Sequence, residues 1–492
     1  LSSKYFLLSG PGPFQNRVNI YKDYPTDPYE ASKTYLRDSS EPKLNLSDED
    51  IKKYFEESSL LEFEHIESSI EGCNYKQLEY LGIKLYALPE TSSLARRVGI
   101  STTAVSFDNE ALLDKRKTTS SKIRGGLKSI MRKNKVRVIK GVGKLLEPGI
   151  VEVVEEGGGV MKLRGRNVIV ASGSRPLRPS VPGVFGDNVI TNIQALNLTQ
   201  TPKSITIIGG GFEGVEWADI FHAMGTTVTI LETFPQLLPG QDVEIGLELR
   251  RAFSSKGIKV FTNSSVNRIG DSDQGKQISF NTTGLSKTVN SEKILIASGR
   301  KSNLQNIGLQ EVGLDISKEV VVDKHMMTEI SGIYLVGDAA GKYFLTGTAL
   351  MEGEIAAENV MGNPVVMDYK GIPTTVFTSP EVASVGINED AAIELGFPIK
   401  VGKVPFRGNG KAITMGSYDG FVKIVADKNT DRILGVHIIG PGATEIINEA
   451  SLAFKLDAKI GDLESLIHAH PTLSEMLREA ALDTNDRAIH KI

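Results

Sequence analysis

The clearest pattern of apolar and polar positions lies between residues 204 and 231. Ile205 to Ile208 form a short run rich in β-branched residues, which is typical of a buried strand. A glycine-rich loop follows, then a stretch of helical character to about Met224, and then a second strand-like run from Thr227 to Leu231. This order of strand, helix and strand predicts a parallel crossover, which is right-handed in nearly all proteins.

The rest of the chain carries weaker patterns that predict further elements. Helices are predicted at 109–134, 444–455 and 463–467, and strands at 420–425 and 433–439. Residues 136–170 read as strand-rich, with a hairpin turn at Gly157–Gly159. Residues 1–100 show little periodicity and predict loops and short helices. Residues 368–492 mix short strands with helices, which indicates a separate α+β domain.

Length, charge and cysteine content narrow the classes of protein. A chain of 492 residues is too long for one hydrophobic core, so about three domains are expected. The net charge of −4 gives no electrostatic reason to expect a nucleic-acid or membrane partner, and no apolar stretch is long enough to span a bilayer. Cys73 is the only cysteine, which excludes an internal disulfide. With no H-E-x-x-H pattern either, no metal site is expected.

The loop from Gly209 to Gly214 has the G-x-G-x-x-G spacing of a dinucleotide-binding turn. Gly209 allows the tight turn, Gly211 lets a pyrophosphate approach the backbone, and Gly214 lets helix and strand pack closely. Glu232 ends the next strand and can accept hydrogen bonds from the ribose hydroxyls, which favours NAD(H) over NADP(H). The alternative is an ordinary strand–helix turn. Glu213 places a carboxylate inside this loop, where it would weaken binding or point to solvent.

Four segments carry a resemblance to a known family, and they are Val170 to Pro176, Ala297 to Asn303, Gly332 to Asp338 and His468 to Glu475. With the glycine loop, they resemble the flavin-dependent pyridine nucleotide–disulfide oxidoreductases, and the dihydrolipoamide dehydrogenases in particular, from about residue 99 to residue 482. The resemblance implies an α/β fold with two Rossmann-like nucleotide-binding domains, one FAD-type and one NAD-type, and a C-terminal α+β dimerisation domain. The expected limits are 1–190 with 300–367 for the FAD-type domain, in which 1–98 is divergent. They are 191–299 for the NAD-type domain and 368–492 for the dimerisation domain.

The resemblance also assigns roles to residues. It carries over four cofactor-binding residues: Glu216, Gly299, Gly337 and Asp338. Asp338 would bond the flavin's ribityl chain, although an Asp in this position can also cap a turn. His470 would be the acid–base of dithiol chemistry, with Glu475 fixing its tautomer. Because the family pairs this dyad with the active site of the other subunit, a homodimer is implied.

The N-terminal region departs from the family in two places. The family needs two cysteines five positions apart, and Cys73 is the match to the second, whereas Ser68 stands where the first would be. Gly10 and Gly12 match the first flavin motif, but Gln15 replaces its third glycine.

These observations leave several interpretations open. The first is a dihydrolipoamide dehydrogenase-like oxidoreductase that uses NAD(H) and FAD but is impaired in dithiol–disulfide turnover, or a non-catalytic structural subunit with the same fold. The second is an active dihydrolipoyl dehydrogenase whose N-terminal sequence is altered. The third is an enzyme that uses Cys73 alone as a thiol or sulfenic acid. The implied partners are a lipoyl-bearing 2-oxoacid dehydrogenase or glycine-cleavage complex, and the implied compartment is the cytoplasm or the mitochondrial matrix.

Overall fold

The computed structural model describes most of the chain from Asp108 onwards. The described residues are 78–79, 82–83, 108–139, 141–155, 158–273, 275–318 and 320–491. Three predicted site residues, Gly10, Gly12 and Cys73, lie outside the described residues, as does Ser68.

The described residues form twenty-two strands and ten α-helices. The strands are β1 Leu78–Glu79, β2 Gly82–Ile83, β3 Gly141–Glu147, β4 Ile150–Glu155, β5 Val160–Arg164, β6 Val168–Val170, β7 Ser174–Pro176, β8 Val189–Ile190, β9 Ser204–Ile208, β10 Thr227–Leu231, β11 Lys259–Phe261, β12 Ser264–Ser272, β13 Gly275–Thr282, β14 Leu285–Ser291, β15 Lys293–Ile296, β16 Arg300–Ser302, β17 Ile333–Leu335, β18 Thr374–Val376, β19 Glu381–Gly386, β20 Ile399–Pro405, β21 Phe421–Asp427 and β22 Ile433–Gly440. The helices are α1 Asn109–Lys133, α2 Asn192–Ala195, α3 Phe212–Ala223, α4 Val243–Lys256, α5 Thr346–Val360, α6 Glu389–Glu394, α7 Gly410–Met415, α8 Ala443–Lys455, α9 Ile460–Ser465 and α10 Glu475–Asp483.

A five-stranded parallel sheet forms the middle of the molecule, in the order β11-β10-β9-β15-β8. The predicted crossover is confirmed, because β9 pairs in parallel with β10 and α3 connects them. Four of the five β9 side chains are buried, which explains why the strand reads as a continuous apolar run. An antiparallel sheet of β12, β13 and β14 is inserted before β15.

A second unit is built from β3 to β7 together with β16 and β17. Strands β3, β4 and β5 form an antiparallel sheet, and β6 pairs in parallel with β17. The predicted turn at 157–159 connects β4 to β5, of which Gly158 and Gly159 are among the described residues. A second turn at Gly149, with φ of +79°, connects β3 to β4 and was not predicted.

The C-terminal unit is an antiparallel sheet in the order β18-β19-β22-β21-β20, with α8 against β19 and β22 and α10 against β20 and β21. All eight residues of β22 are buried, because its neighbours and the helices cover both faces. The α+β prediction is therefore confirmed. The predicted helix at 463–467 is found two to three residues earlier, since α9 begins at Ile460 and ends at Ser465.

The long helix α1 is capped by the Asp108 side chain, which accepts the Ala111 N–H, and only Leu112 among its residues is buried. Across the part of the chain that the structure describes, no helix combines the length and apolar character that a bilayer crossing needs.

Candidate active site

The glycine loop between β9 and α3 is held in a conformation that only glycine allows at two positions. Gly209 has φ of +111°, and a Cβ there would lie 2.2 Å from the Ala297 carbonyl oxygen. A Cβ on Gly214 would lie 2.0 Å from the Gly209 carbonyl oxygen. Gly209 therefore permits the tight turn, and Gly214 permits the close packing of strand and helix, that the spacing predicted.

Gly211 is different, because it faces open space. It is the N-cap residue of α3, with ordinary φ of −74°, and no side chain caps the helix there. A Cβ built on it would meet no atom within 4 Å. The first backbone N–H groups of α3 therefore have no side-chain cap and lie at the positive end of the helix dipole, next to the open space at Gly211. This arrangement fits a diphosphate.

These geometries predict opposite effects for two alanine variants. Gly211→Ala is expected to fold normally but to lose at least about tenfold in NADH affinity, because the methyl group would occupy the space that a diphosphate needs. Gly209→Ala is expected to lower the melting temperature, because the new Cβ collides with backbone. Circular dichroism melting and NADH titration of both variants separate the two effects. Equal loss of stability in both variants would contradict this assignment.

Glu232 fixes the shape of the loop. Its side chain is buried, with Oε2 accepting the Gly210 N–H at 2.5 Å and Oε1 accepting the Phe234 N–H at 2.8 Å. Each carboxylate oxygen can accept a second hydrogen bond, so a contact to ribose hydroxyls stays a prediction. The structure adds that Glu232 also anchors the loop, which the sequence analysis missed.

Two further carboxylates, Glu213 and Glu216, lie in the first two turns of α3. Oε1 of Glu216 accepts the Phe377 N–H at 2.9 Å. Burial raises the pKa of Glu216 to about 7; the Phe377 N–H opposes this shift and the charge of Glu213 adds to it. Burial also raises the pKa of Glu213, against the effect of Arg300, whose Nη1 lies 3.7 Å from Glu213 Oε2. Glu213 therefore does not simply point to solvent, the second possibility that its sequence position left open.

Asp338 lies just beyond the end of β17, as the sequence predicted, and its side chain is half-buried. Its Oδ2 accepts a hydrogen bond from Ser174 Oγ at 2.5 Å. Arg300 Nε donates to the same Ser174 Oγ at 2.7 Å and lies 3.9 Å from Asp338 Oδ2. Gly337 N donates to the buried Glu352 at 2.6 Å, which fixes the turn that presents Asp338. A partly exposed carboxylate at a strand end fits a bond to a flavin's ribityl hydroxyl.

Gly299 lies in the turn between β15 and β16. Its φ is +109°, and a Cβ there would meet no atom within 4 Å. Its carbonyl accepts the Leu177 N–H at 2.9 Å, which joins the two segments that cross between the units. The residues that surround Asp338 sit on these same segments.

His470 and Glu475 form the predicted dyad in the C-terminal unit. His470 Nδ1 lies 2.8 Å from Glu475 Oε1, and Glu475 Oε2 accepts the Thr472 N–H at 2.8 Å. Burial alone would raise the pKa of Glu475, but the hydrogen bonds from Thr472 and His470 outweigh it and lower the pKa. Glu475 therefore stays ionised and orients the imidazole, whose side chain is 79% exposed.

The dyad borders a cavity of about 450 Å³, with His468 and His490 also in its wall. His468 Nε2 lies 2.9 Å from Glu449 Oε1, and His490 Nδ1 lies 3.2 Å from Glu479 Oε1. His468 is thus paired inside the unit, whereas His470 is open at the surface. The cavity places the His470 imidazole at an accessible face.

Sequence reasoning did not assign roles to Ser174, Arg300 or Glu352. Ser174 and Arg300 lie inside the segments that carry the resemblance. Their positions directly after Gly173 and Gly299 could have indicated that they belong to the site. Glu352 had no signal, because its role depends on how α5 packs against the turn at Gly337.

Comparison with known proteins identifies the family of this chain. Residues 74–353 match the family described as pyridine nucleotide-disulphide oxidoreductase, and residues 372–481 match the dimerisation domain of that family. The chain is 39% identical to the dihydrolipoyl dehydrogenase of Bacillus subtilis (strain 168) over 414 residues, covering 81% of this chain and 87% of the relative. It is 34% identical to the mitochondrial dihydrolipoyl dehydrogenase 2 of Arabidopsis thaliana over 398 residues, covering 80% of this chain and 78% of the relative.

Two solved structures share the fold. The crystal structure of LpdA from Mycobacterium tuberculosis superposes with a TM-score of 0.73 at 25% identity, covering 81% of this chain and 88% of LpdA. The HOCl-induced flavoprotein disulfide reductase RclA from Escherichia coli superposes with a TM-score of 0.70 at 23% identity, covering 84% of this chain and 90% of RclA, and supports the fold alone. The matched family uses FAD and NAD(H) as cofactors. The chain belongs to the pyridine nucleotide–disulphide oxidoreductases and, within them, to the family of the dihydrolipoyl dehydrogenases.

Proposed function

We propose that this chain binds FAD and NAD(H) as an oxidoreductase of the dihydrolipoyl dehydrogenase type whose dithiol–disulfide half-reaction is impaired. The supporting observation is the position of Arg300. Its guanidinium lies 3.7 Å from Glu213 on the nucleotide loop and 3.9 Å from Asp338, so the two candidate cofactor sites meet at one side chain. The impairment follows from the single cysteine, because one sulfur cannot form the internal disulfide that exchanges with a dithiol.

In this proposal the chain's own residues bind and orient the cofactors. The loop from Gly209 to Gly214 holds the diphosphate of NAD(H), Glu232 shapes the loop, and Asp338 fixes the ribityl chain. The bound flavin supplies the capacity to accept a hydride from NADH. The nicotinamide would lie near Glu216. Binding of the adenosine half of FAD by Gly10 and Gly12 stays a prediction.

The proposed domains keep the limits expected from the sequence: 1–190 with 300–367 for FAD, 191–299 for NAD(H), and 368–492 for dimerisation. The match of residues 372–481 to a dimerisation domain supports a homodimer. The exposure of His470 beside a cavity supports it further, because a second copy would cover this face. Association with a lipoyl-bearing complex, in the cytoplasm or the mitochondrial matrix, is the corresponding proposal for partners and location.

One observation favours a second candidate function. The His470–Glu475 pair keeps the hydrogen bond that dithiol acid–base chemistry uses. An intact dyad favours an active dihydrolipoyl dehydrogenase in which the segment around Ser68 is altered. A non-catalytic structural subunit has no comparable support, since it needs neither the dyad nor the open face at Gly211.

Purified full-length protein tests the proposal. We expect visible flavin absorbance, bleaching of that absorbance by NADH, and NADH oxidation with ferricyanide as a one-electron acceptor. We expect no NAD-linked oxidation of dihydrolipoamide above background. Brisk dihydrolipoamide oxidation would favour the active enzyme instead. Absence of both flavin and NADH binding would favour the structural subunit.

A further inference from the structure

The beginning of α3 carries an excess of negative charge beside the proposed nucleotide site. Glu213 and Glu216 are three residues apart on this helix and therefore lie on one face of it. Glu213 Oε1 is buried and has no hydrogen-bond partner among the described residues. Glu216 Oε1 accepts one backbone N–H, from Phe377, at 2.9 Å.

Arg300 is the one cation that the described contacts place against Glu213. Its Nη1 lies 3.7 Å from Glu213 Oε2, which is longer than a hydrogen bond. Its Nε instead donates to Ser174 and lies 3.9 Å from Asp338. The guanidinium is therefore shared between Glu213 on α3 and Asp338 beyond β17.

A count of charges follows from these contacts. The groups are Glu213 and Glu216 on α3, Arg300 on β16, and Asp338 after β17. Further along α3, Asp219 is paired with Lys256 at 2.7 Å, so this pair adds no net charge. The loop after β18 contributes the Phe377 N–H to Glu216 and the Ser379 N–H to Asp219. Three carboxylates against one guanidinium leave two negative charges when all are ionised. A dinucleotide docked at Gly211 would bring a diphosphate with two more negative charges to the same end of α3. Neutralising one carboxylate would reduce that repulsion.

Resting on the proposed NAD(H) site, we propose that Glu213 and Glu216 act as a carboxylate pair that takes up a proton from solvent when NADH binds. A hydronium ion or the acid form of the buffer gives up the proton, which bonds to a carboxylate oxygen of the pair, and no other covalent bond changes. The pair thereby makes NADH affinity depend on pH. This role goes beyond the orientation of the cofactor, because it links cofactor binding to the protonation state of the protein.

The direction of the pH effect follows from linkage. The pKa of Glu216 is already raised to about 7 by burial, and that of Glu213 is raised in the same direction. A bound diphosphate raises them further, because negative charge favours the protonated carboxyl. Proton uptake therefore occurs from about pH 7 upward, until the pH exceeds the raised pKa values. Affinity is highest below this window and falls as pH rises through it.

Isothermal titration of the purified protein with NADH, in two buffers of different ionisation enthalpy, measures the uptake directly. We expect a substantial fraction of one proton per NADH near pH 7.5 in the unaltered chain. We expect the NADH Kd to rise about tenfold from pH 6.5 to 8.5, and about twofold or less in a Glu213→Gln, Glu216→Gln double variant. A matched control is Glu248→Gln on α4, where Glu248 pairs with Arg251, and this variant should retain the uptake.

A second readout needs no variant. Infrared difference spectra of the unaltered protein should gain the carbonyl band of a protonated carboxyl group when NADH is added. NADH binding with no proton uptake and no such band would overturn the proposal and leave the proposed function standing. Failure of NADH to bind at any pH would overturn the proposed function itself, and the carboxylate pair with it.

Discussion

Replacing Lys423 with Met is expected to lower the free energy of unfolding by about 3–5 kcal/mol, because it leaves the buried carboxylate of Asp242 without its cation. Lys423 on β21 is only 2% exposed, and its Nζ lies 2.9 Å from Asp242, 2.8 Å from Glu244 and 2.7 Å from Glu389. Asp242 is also 2% exposed and is the N-cap of α4. The lysine thus connects α4 to the C-terminal sheet. Helix α4 belongs to the nucleotide unit, which is the unit built around the five-stranded parallel sheet. Burial alone would lower the Lys423 pKa, but the three carboxylates outweigh it and raise it.

The chain offers both a probe and a matched control for this prediction. Trp217 on α3 is the only tryptophan, so its fluorescence during urea unfolding follows the nucleotide unit. Lys403 also pairs with Glu244 but is 43% exposed, so Lys403→Met should cost about 0–1 kcal/mol. A similar shift of the urea midpoint in both variants would show that burial does not set the contribution of Lys423.

Restoring the second thiol is the other change with a large expected effect. Ser68→Cys supplies a cysteine five positions before Cys73 and is expected to produce NAD-linked dihydrolipoamide oxidation from a background rate. Adding His470→Ala to that variant should reduce the new activity about 10²–10⁴-fold, since the imidazole that accepts the thiol proton is lost. Spectrophotometric NADH formation from dihydrolipoamide measures both steps.

Two controls accompany this pair of variants. Cys73→Ser in the Ser68→Cys background should abolish the new activity, because one thiol is again alone. His325→Gln, which alters a histidine bonded to Asn359 and Val365 away from the dyad, should retain it. If Ser68→Cys binds flavin and NADH but gains no activity, positions 68 and 73 do not form the redox pair.

The sequence predicted the middle of the fold well, because local patterns there are strong. The β-branched run at 205–208, the glycine spacing and the run at 227–231 each specify one element, and the elements were found within a residue or two of the predicted ends. The helix at 109–134 was found at Asn109–Lys133 for a similar reason. Its apolar positions did not predict burial, because only Leu112 among its residues is buried. Irregular turns such as Gly149 were missed, because a single glycine is a weak signal.

The candidate site was predicted residue by residue but not as a contact network. Glycine positions could be assigned from their spacing, and a positive φ at Gly209 and Gly299 and a close approach at Gly214 favour glycine there. The dyad could be assigned because His470 and Glu475 are close in sequence. Ser174, Arg300 and Asp338 come from three distant segments, so their contacts depend on how β7, β16 and β17 meet.

By itself the sequence determined which chemical groups exist: one cysteine thiol, one complete G-x-G-x-x-G loop, and one histidine with a carboxylate five residues away. Only the tertiary structure decided which charges share a neighbourhood. Glu213 looked like an isolated misfit in the loop, and the fold makes it part of a group with Glu216, Arg300 and Asp338. The physical reason is that electrostatic energy depends on distance and burial, and both are set by packing between segments that lie far apart in the chain.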